Sequence, residues 1–141
     1  MQNNVFYFIG IGGIGMSSIA RYLLELGAQV GGYDLTPSLI TSSLQDSGAF
    51  ITFDEQVEAL PDQFKARETR VIFTPAIPSS HKQLLYFEKQ GNSVKKRAAF
   101  LGEITNSMTT LAVAGTHGKT TTTSILAHFF LSLQSPFTAF V

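Results

Sequence analysis

The chain has 141 residues, 44% of them hydrophobic and 14% charged, with ten basic and ten acidic side chains and so no formal net charge. That composition suits one compact globular domain with a piece of a second, removes any bulk electrostatic case for nucleic acid, and, with no cysteine, excludes disulfide scaffolds, thiolate metal sites and cysteine nucleophiles. Met1-Gln2-Asn3-Asn4 lacks a basic leader segment and no apolar stretch has the length of a membrane span, so a cytoplasmic protein with no membrane partner is expected.

Val5 to Ile9 is an unbroken apolar run, the pattern of a parallel strand buried on both faces. Gly10-x-Gly12-x-x-Gly15 follows at once. Met16, Ile19, Ala20, Leu23 and Leu24 then recur at helical spacing, which predicts a helix starting within Ile14 to Ser17 and closed by Gly27. A second strand is expected over Gln29 to Tyr33. It ends at Asp34, near the ~20-residue offset at which dinucleotide-type units carry an acidic residue. Glycines in this setting let the backbone approach a diphosphate, and the helix N-terminus adds partial positive charge. The spacing fits NAD, FAD or a UDP-sugar alike, and glycines that only permit tight helix–strand packing are the plain alternative. Asp34 either accepts from a ribose hydroxyl or caps the turn at Thr36-Pro37.

Strand and helix go on alternating. Leu39 to Leu44 predicts a short helix, Phe50 to Phe53 a strand, Asp54 to Leu60 a helix ended by Pro61, and Arg70 to Phe73 a further strand. Thr74-Pro75-Ala76-Ile77-Pro78 is an extended loop at the carboxyl edge of the sheet, where ligands of open α/β sheets sit. Ser79-Ser80 is expected to cap a helix through Leu84, Leu85 and Phe87 that Gly91 closes, with His81 in its first turn as a solvated side chain. Val94 begins a brief strand, and Lys95-Lys96-Arg97 is a charge run expected on a solvated face. The whole predicts a Rossmann-like, doubly wound parallel sheet over residues 1–105, with a boundary near Asn106-Ser107.

Residues 106–141 read as the start of a second α/β domain. A strand is expected over Thr110 to Val113, then Gly115-Thr116-His117-Gly118-Lys119-Thr120-Thr121, then a helix carrying Ile125, Leu126, Phe129, Phe130 and Leu133. Another strand is expected to begin within Phe137 to Val141. Two glycines curl the backbone so that successive N–H groups face a phosphate; Lys119 can reach outer phosphates of a nucleotide and Thr120 can offer a hydroxyl to Mg²⁺. Val113, not glycine, stands five before Gly118, so this is a shortened phosphate loop. A turn and helix cap of small polar residues is the alternative.

The short loop resembles that of the Mur ligases, the ATP-dependent amino-acid ligases of peptidoglycan precursor synthesis. Its histidine, His117, is similar to the branch acting on UDP-N-acetylmuramate derivatives, and Phe8-Ile9-Gly10-Ile11-Gly12-Gly13-Ile14-Gly15-Met16-Ser17 resembles that branch's first glycine motif. The resemblance implies a peptide-type ligation. The carboxylate of UDP-N-acetylmuramate is phosphorylated by ATP, the amine of L-alanine attacks the acyl phosphate, and phosphate leaves. It further implies that Gly10, Gly12, Gly13, Ile14, Gly15, Met16 and Ser17 cradle the UDP diphosphate, with Asp34 near the uridine. Thr74 and Ala76 are then either substrate contacts or parts of a rigid connector. Gly115, Thr116, His117, Gly118, Lys119, Thr120 and Thr121 would hold the ATP phosphates, Lys119 offsetting charge on the transferred phosphoryl group and Thr120 ligating Mg²⁺. His117 is either a contact near the reacting carboxylate or a loop-shaping residue. The family places amino-acid selection in a later domain, so the chain is expected to be the N-terminal part of a longer enzyme, inactive alone and open to self-association. A nicotinamide-dependent oxidoreductase or sensor module would also use Gly10 to Asp34, but it leaves the second glycine loop without a role.

Overall fold

The computed structural model describes residues 4–140. Five parallel strands form one sheet in the order β3-β2-β1-β4-β5: β1 (Val5–Ile9), β2 (Gln29–Tyr33), β3 (Phe50–Thr52), β4 (Arg70–Phe73) and β5 (Ser93–Lys96). Parallel neighbours need crossovers, which are supplied by α1 (Ile14–Glu25), α2 (Leu39–Asp46) and α3 (Lys82–Gln90). β1 is central, in register with β2 through Phe8↔Gly32 and with β4 through Phe8↔Ile72. All five of its residues are buried, as an apolar run covered on both faces requires.

Alternation along β1 divides the core. Val5, Tyr7 and Ile9 join Tyr33, Leu60, Phe64, Val71, Leu84 and Phe87 in one cluster. The Tyr7 ring lies 5.6 Å from Phe64 and 5.4 Å from Phe87, which sets α3 against that face. Phe6 points the other way and meets Phe100 of α4 (Arg97–Asn106) at 5.7 Å. Arg70 places its guanidinium 5.2 Å from the Phe6 ring and 5.0 Å from that of Phe100 while bonding Glu103 at 2.8 Å, so α4 is tied to β4 by ring stacking and an ion pair together. Helices thus cover both faces of a parallel sheet, the doubly wound architecture.

Two expected elements take other forms. Asp54 to Leu60 is not a helix; Val57–Ala59 and Asp62–Phe64 are single 3₁₀ turns. The buried Gln83 side chain donates to the carbonyls of Asp54 (2.9 Å) and Gln56 (3.2 Å), the acceptors a helix there would need for itself, and Pro61 ends the segment. Nor is 110–113 a strand: residues 109–114 have no regular structure and are exposed or half-exposed. A parallel strand exists only by pairing its N–H and C=O groups with neighbours, and among the described residues no strand pairs with it. The described part of the expected last strand, 137–140, is likewise irregular, and Val141 lies outside the described residues.

The chain forms two compact units, the first ending at Glu103 and the second starting at Ile104. The second consists of the end of α4, the second glycine loop and α5 (Lys119–Ser132), which has no buried residue.

Candidate functional site

The site begins where β1 ends. Gly10 has φ +90°, a conformation glycine adopts without strain, and a Cβ there would stand 2.6 Å from Thr74 Cγ2. Thr74 in turn donates its N–H to the carbonyl of Ile9 at 3.3 Å. The loops after β1 and β4 therefore touch at the point where strand order reverses, the usual ligand crevice of an open α/β sheet. Ala76 lies exposed in the same loop.

The loop amides divide into engaged and free. Gly10 and Ile11 both donate to the carbonyl of Tyr33, at 2.8 and 3.0 Å, and Gly12 donates to Asp34 Oδ2 at 2.7 Å. Gly13 N–H makes a long 3.4 Å bond to the carbonyl of Gly10. Met16 and Ser17 donate back to the Gly13 carbonyl, and the Ser17 hydroxyl to that of Ile14, so these two belong to the helix and both are buried. Ile14 and Gly15 are left. Their N–H groups have no partner among the described residues, and they open α1 with Gly13 as N-cap. Two free amides at a helix start make a receptor for one anionic group.

Asp34 is used locally. Besides Gly12, its Oδ1 accepts from Thr36 N–H at 3.5 Å, so the turn-capping alternative is realised together with a bond across to the glycine loop. A Cβ on Gly12 would stand 2.8 Å from Asp34 Oδ2 and 3.1 Å from Thr41 Cγ2, and glycine at this position is what lets the carboxylate close on the amide.

Two side chains differ from expectation or fell outside it. His81 is buried (4% exposed) and not solvated: its Nδ1 accepts from Leu84 N–H at 3.4 Å as the N-cap of α3, and its ring lies 4.5 Å from that of Tyr33. Burial holds its pKa below the usual imidazole range, against a smaller opposing influence of Glu55. A cap signal was present, since His81 precedes Leu84 by three residues, but Ser79-Ser80 is the more familiar cap pair. Arg97, part of the charge run, packs on the backbone of Gly15. Its position directly after β5, at the carboxyl edge of the sheet, is the one signal that could have found it.

The second loop is described within its own unit. Residues 115–117 bend, Gly118 takes the left-handed conformation (φ +76°) as N-cap, and α5 starts at Lys119. Lys119 Nζ folds back onto the carbonyls of Gly115 (2.7 Å) and Thr116 (3.5 Å), so the loop carries its own cation where a phosphate would need one. Thr116, His117, Thr120 and Thr121 are exposed. These residues fit a phosphate group; among the described residues no cluster of three or more His, Asp or Glu gathers to hold a metal, so Thr120 stands alone as a candidate ligand for Mg²⁺.

Residues 5–109 match the Mur ligase family, catalytic domain. The chain belongs to that family. It is 51% identical over 135 residues to the UDP-N-acetylmuramate–L-alanine ligase of Flavobacterium johnsoniae, covering 96% of this chain and 30% of that protein. To the enzyme of the same name from Parabacteroides distasonis it is 53% identical over 131 residues, covering 92% and 28%. Among solved structures it is similar to the UDP-N-acetylmuramate–alanine ligase of Thermotoga maritima, with a TM-score of 0.81 and 28% identity, over 92% of this chain and 30% of the other. The chain therefore spans about 30% of the length of such relatives.

Proposed function

We propose that the chain is the nucleotide-sugar-binding part, with the ATP phosphate loop, of an ATP-dependent ligase that joins L-alanine to UDP-N-acetylmuramate through an acyl phosphate in peptidoglycan precursor synthesis. The observation that carries it is the pair of free amides, Ile14 and Gly15, at the start of α1 in the crevice between β1 and β4. Together with about half-identity to ligases of this name over nearly the whole chain, it supports the UDP diphosphate as occupant. Residues 1–105 form the UDP-sugar domain and 106–141 the opening of the ATP domain. There Gly115 to Thr121 hold the ATP phosphates, Lys119 shifting from its own carbonyls to the outer phosphates, and Thr120 takes Mg²⁺. ATP bound there supplies the phosphoryl group that activates the muramate carboxylate. We assign the protein to the cytoplasm, where nucleotide substrates are made; no helix among the described residues is long and apolar enough to cross a membrane.

The nicotinamide alternative is not favoured. The second glycine loop has no part in it, and the relatives that the chain matches over nearly its whole length are ligases. Titration calorimetry with UDP-N-acetylmuramate, UDP, NAD and ATP·Mg²⁺ tests the proposal. The UDP compounds are expected to bind and NAD to bind far more weakly. Lys119→Ala is expected to leave UDP-sugar binding unchanged while weakening ATP. Tighter binding of NAD than of the UDP-sugar would overturn the assignment.

A further inference from the structure

Gln83 is the second residue of α3, and its polar side chain is fully buried. Both ends of the amide are used. The hydroxyl of Tyr7, itself fully buried on β1, donates to Oε1 at 2.9 Å, and Nε2 donates to the carbonyls of Asp54 at 2.9 Å and Gln56 at 3.2 Å. Apolar side chains would fill the same space without the desolvation that an amide and a phenol cost, so packing alone does not call for this pair. What the pair holds is the segment after β3. That segment is also fixed from within, Asp54 N–H donating to the Thr52 hydroxyl at 3.1 Å and Gln56 N–H to Asp54 Oδ1 at 2.9 Å. Lys82, next to Gln83, adds an exposed ion pair to Glu55 at 3.7 Å.

The segment stands beside the first glycine loop. Asp34, whose carboxylate bonds the Gly12 amide, donates its own N–H to the carbonyl of Thr52 at 3.1 Å. Burial raises the pKa of Tyr33, and the charges of Glu55, Asp34 and Asp54 add to it, so residues of the segment lie close to the end of β2. Building on the UDP-sugar reading of this crevice, we propose that Gln83 is a positioning residue of the nucleotide-sugar site. Fully buried, it touches no ligand; with Tyr7 it locks residues 54–56 as a fixed wall of the crevice on the Asp34 side. The ordering of that wall is complete on folding and is not charged to binding. Without the amide, the carbonyls of Asp54 and Gln56 lose their buried donor, and the segment is free to take another shape, such as the helix that its spacing predicts.

The test is calorimetry with UDP on the wild-type chain, Gln83→Leu and Gln83→Glu, at a temperature where each keeps the wild-type far-UV spectrum. Gln83→Leu is expected to weaken UDP by about 10-fold, the factor that one net hydrogen bond represents. Gln83→Glu supplies a pH profile. Buried against two carbonyls, its carboxyl is protonated and donates at low pH, whereas the ionised form has no proton to give. Its UDP affinity, taken as a ratio to wild type at each pH, should fall from near one at about pH 5.5 to the Gln83→Leu level at about pH 9.5, a span that brackets buried carboxylates. This profile carries the test by itself where Gln83→Leu does not fold. A lowered melting temperature with unchanged UDP affinity in Gln83→Leu marks a purely structural amide and would overturn the assignment while leaving the UDP-sugar reading intact. A Gln83→Glu ratio that stays constant with pH would do the same. A wild-type chain that binds neither UDP nor UDP-N-acetylmuramate would overturn both.

Discussion

Single residues hold the first loop in shape, and each can be removed by itself. Asp34 fixes Gly12 by a charged hydrogen bond of 2.7 Å in a half-buried position. Asp34→Ala is expected to cost about 1.5 kcal/mol, the low end for a hydrogen bond to a charged group, measured by urea unfolding. Gly12→Val should abolish UDP-sugar binding, because its side chain would displace Asp34 and Thr41 and reshape the loop; calorimetry reads the loss. His81 predicts a pH dependence. Its Nδ1 must be unprotonated to accept from Leu84, and its folded pKa lies below the ordinary value of 6.5. The unfolded chain therefore takes up the proton first as pH falls, so this contribution to stability is complete above about pH 6.5 and is lost progressively below it. Chemical unfolding between pH 7.5 and pH 5, about the span over which imidazole titrates, should show that decline in wild type and a flatter profile in His81→Asn, which keeps a capping side chain without the titration.

Among the elements, those legible in the sequence are those whose stability is local or whose pattern states burial outright. β1, α1 and β2 occupy the residues that apolar runs, glycines and helical spacing predicted, since a five-residue run buried on both faces can only be a central strand. The first glycine loop, as a turn between β1 and α1, was legible for the same reason. What the pattern could not state was the pairing of its amides, because Asp34 and Arg97 reach it from 22 and 82 residues away. The failures share one cause. Residues 110–113 have strand composition but no pairing strand among the described residues, and 54–60 have helical spacing but give two carbonyls to Gln83. Both outcomes turn on pairing that the local pattern does not state. Amide hydrogen exchange should report the difference directly. Tyr7 and Phe8, on the central strand between β2 and β4, are expected to exchange at the rate of global unfolding, and residues 109–118 near the rate of an unstructured peptide.

For the molecule as a whole, burial is uneven. The first unit has a core on each face of its sheet, whereas α5 and its C-cap show Ile125, Phe129 and Leu133, at helical spacing, with 65, 57 and 59% of their surface in water. An apolar stripe of that kind on a helix favours association. Sedimentation velocity across a concentration series should reveal weight-average growth in wild type and a monomer in Ile125→Lys/Phe129→Lys; a wild-type monomer at every concentration would refute the expectation. The carbonyl of Tyr33 has a different bearing on the whole. It accepts from two successive loop amides while the next side chain, Asp34, accepts from the third, so the glycine loop is laced to β2 before any ligand arrives. The transferable module is thus not the glycine motif but the motif with the Tyr33-Asp34 end of its neighbour strand. A protein engineer who grafted residues 10–15 onto another parallel sheet would carry over the letters of the motif and leave behind the lacing that gives it its shape.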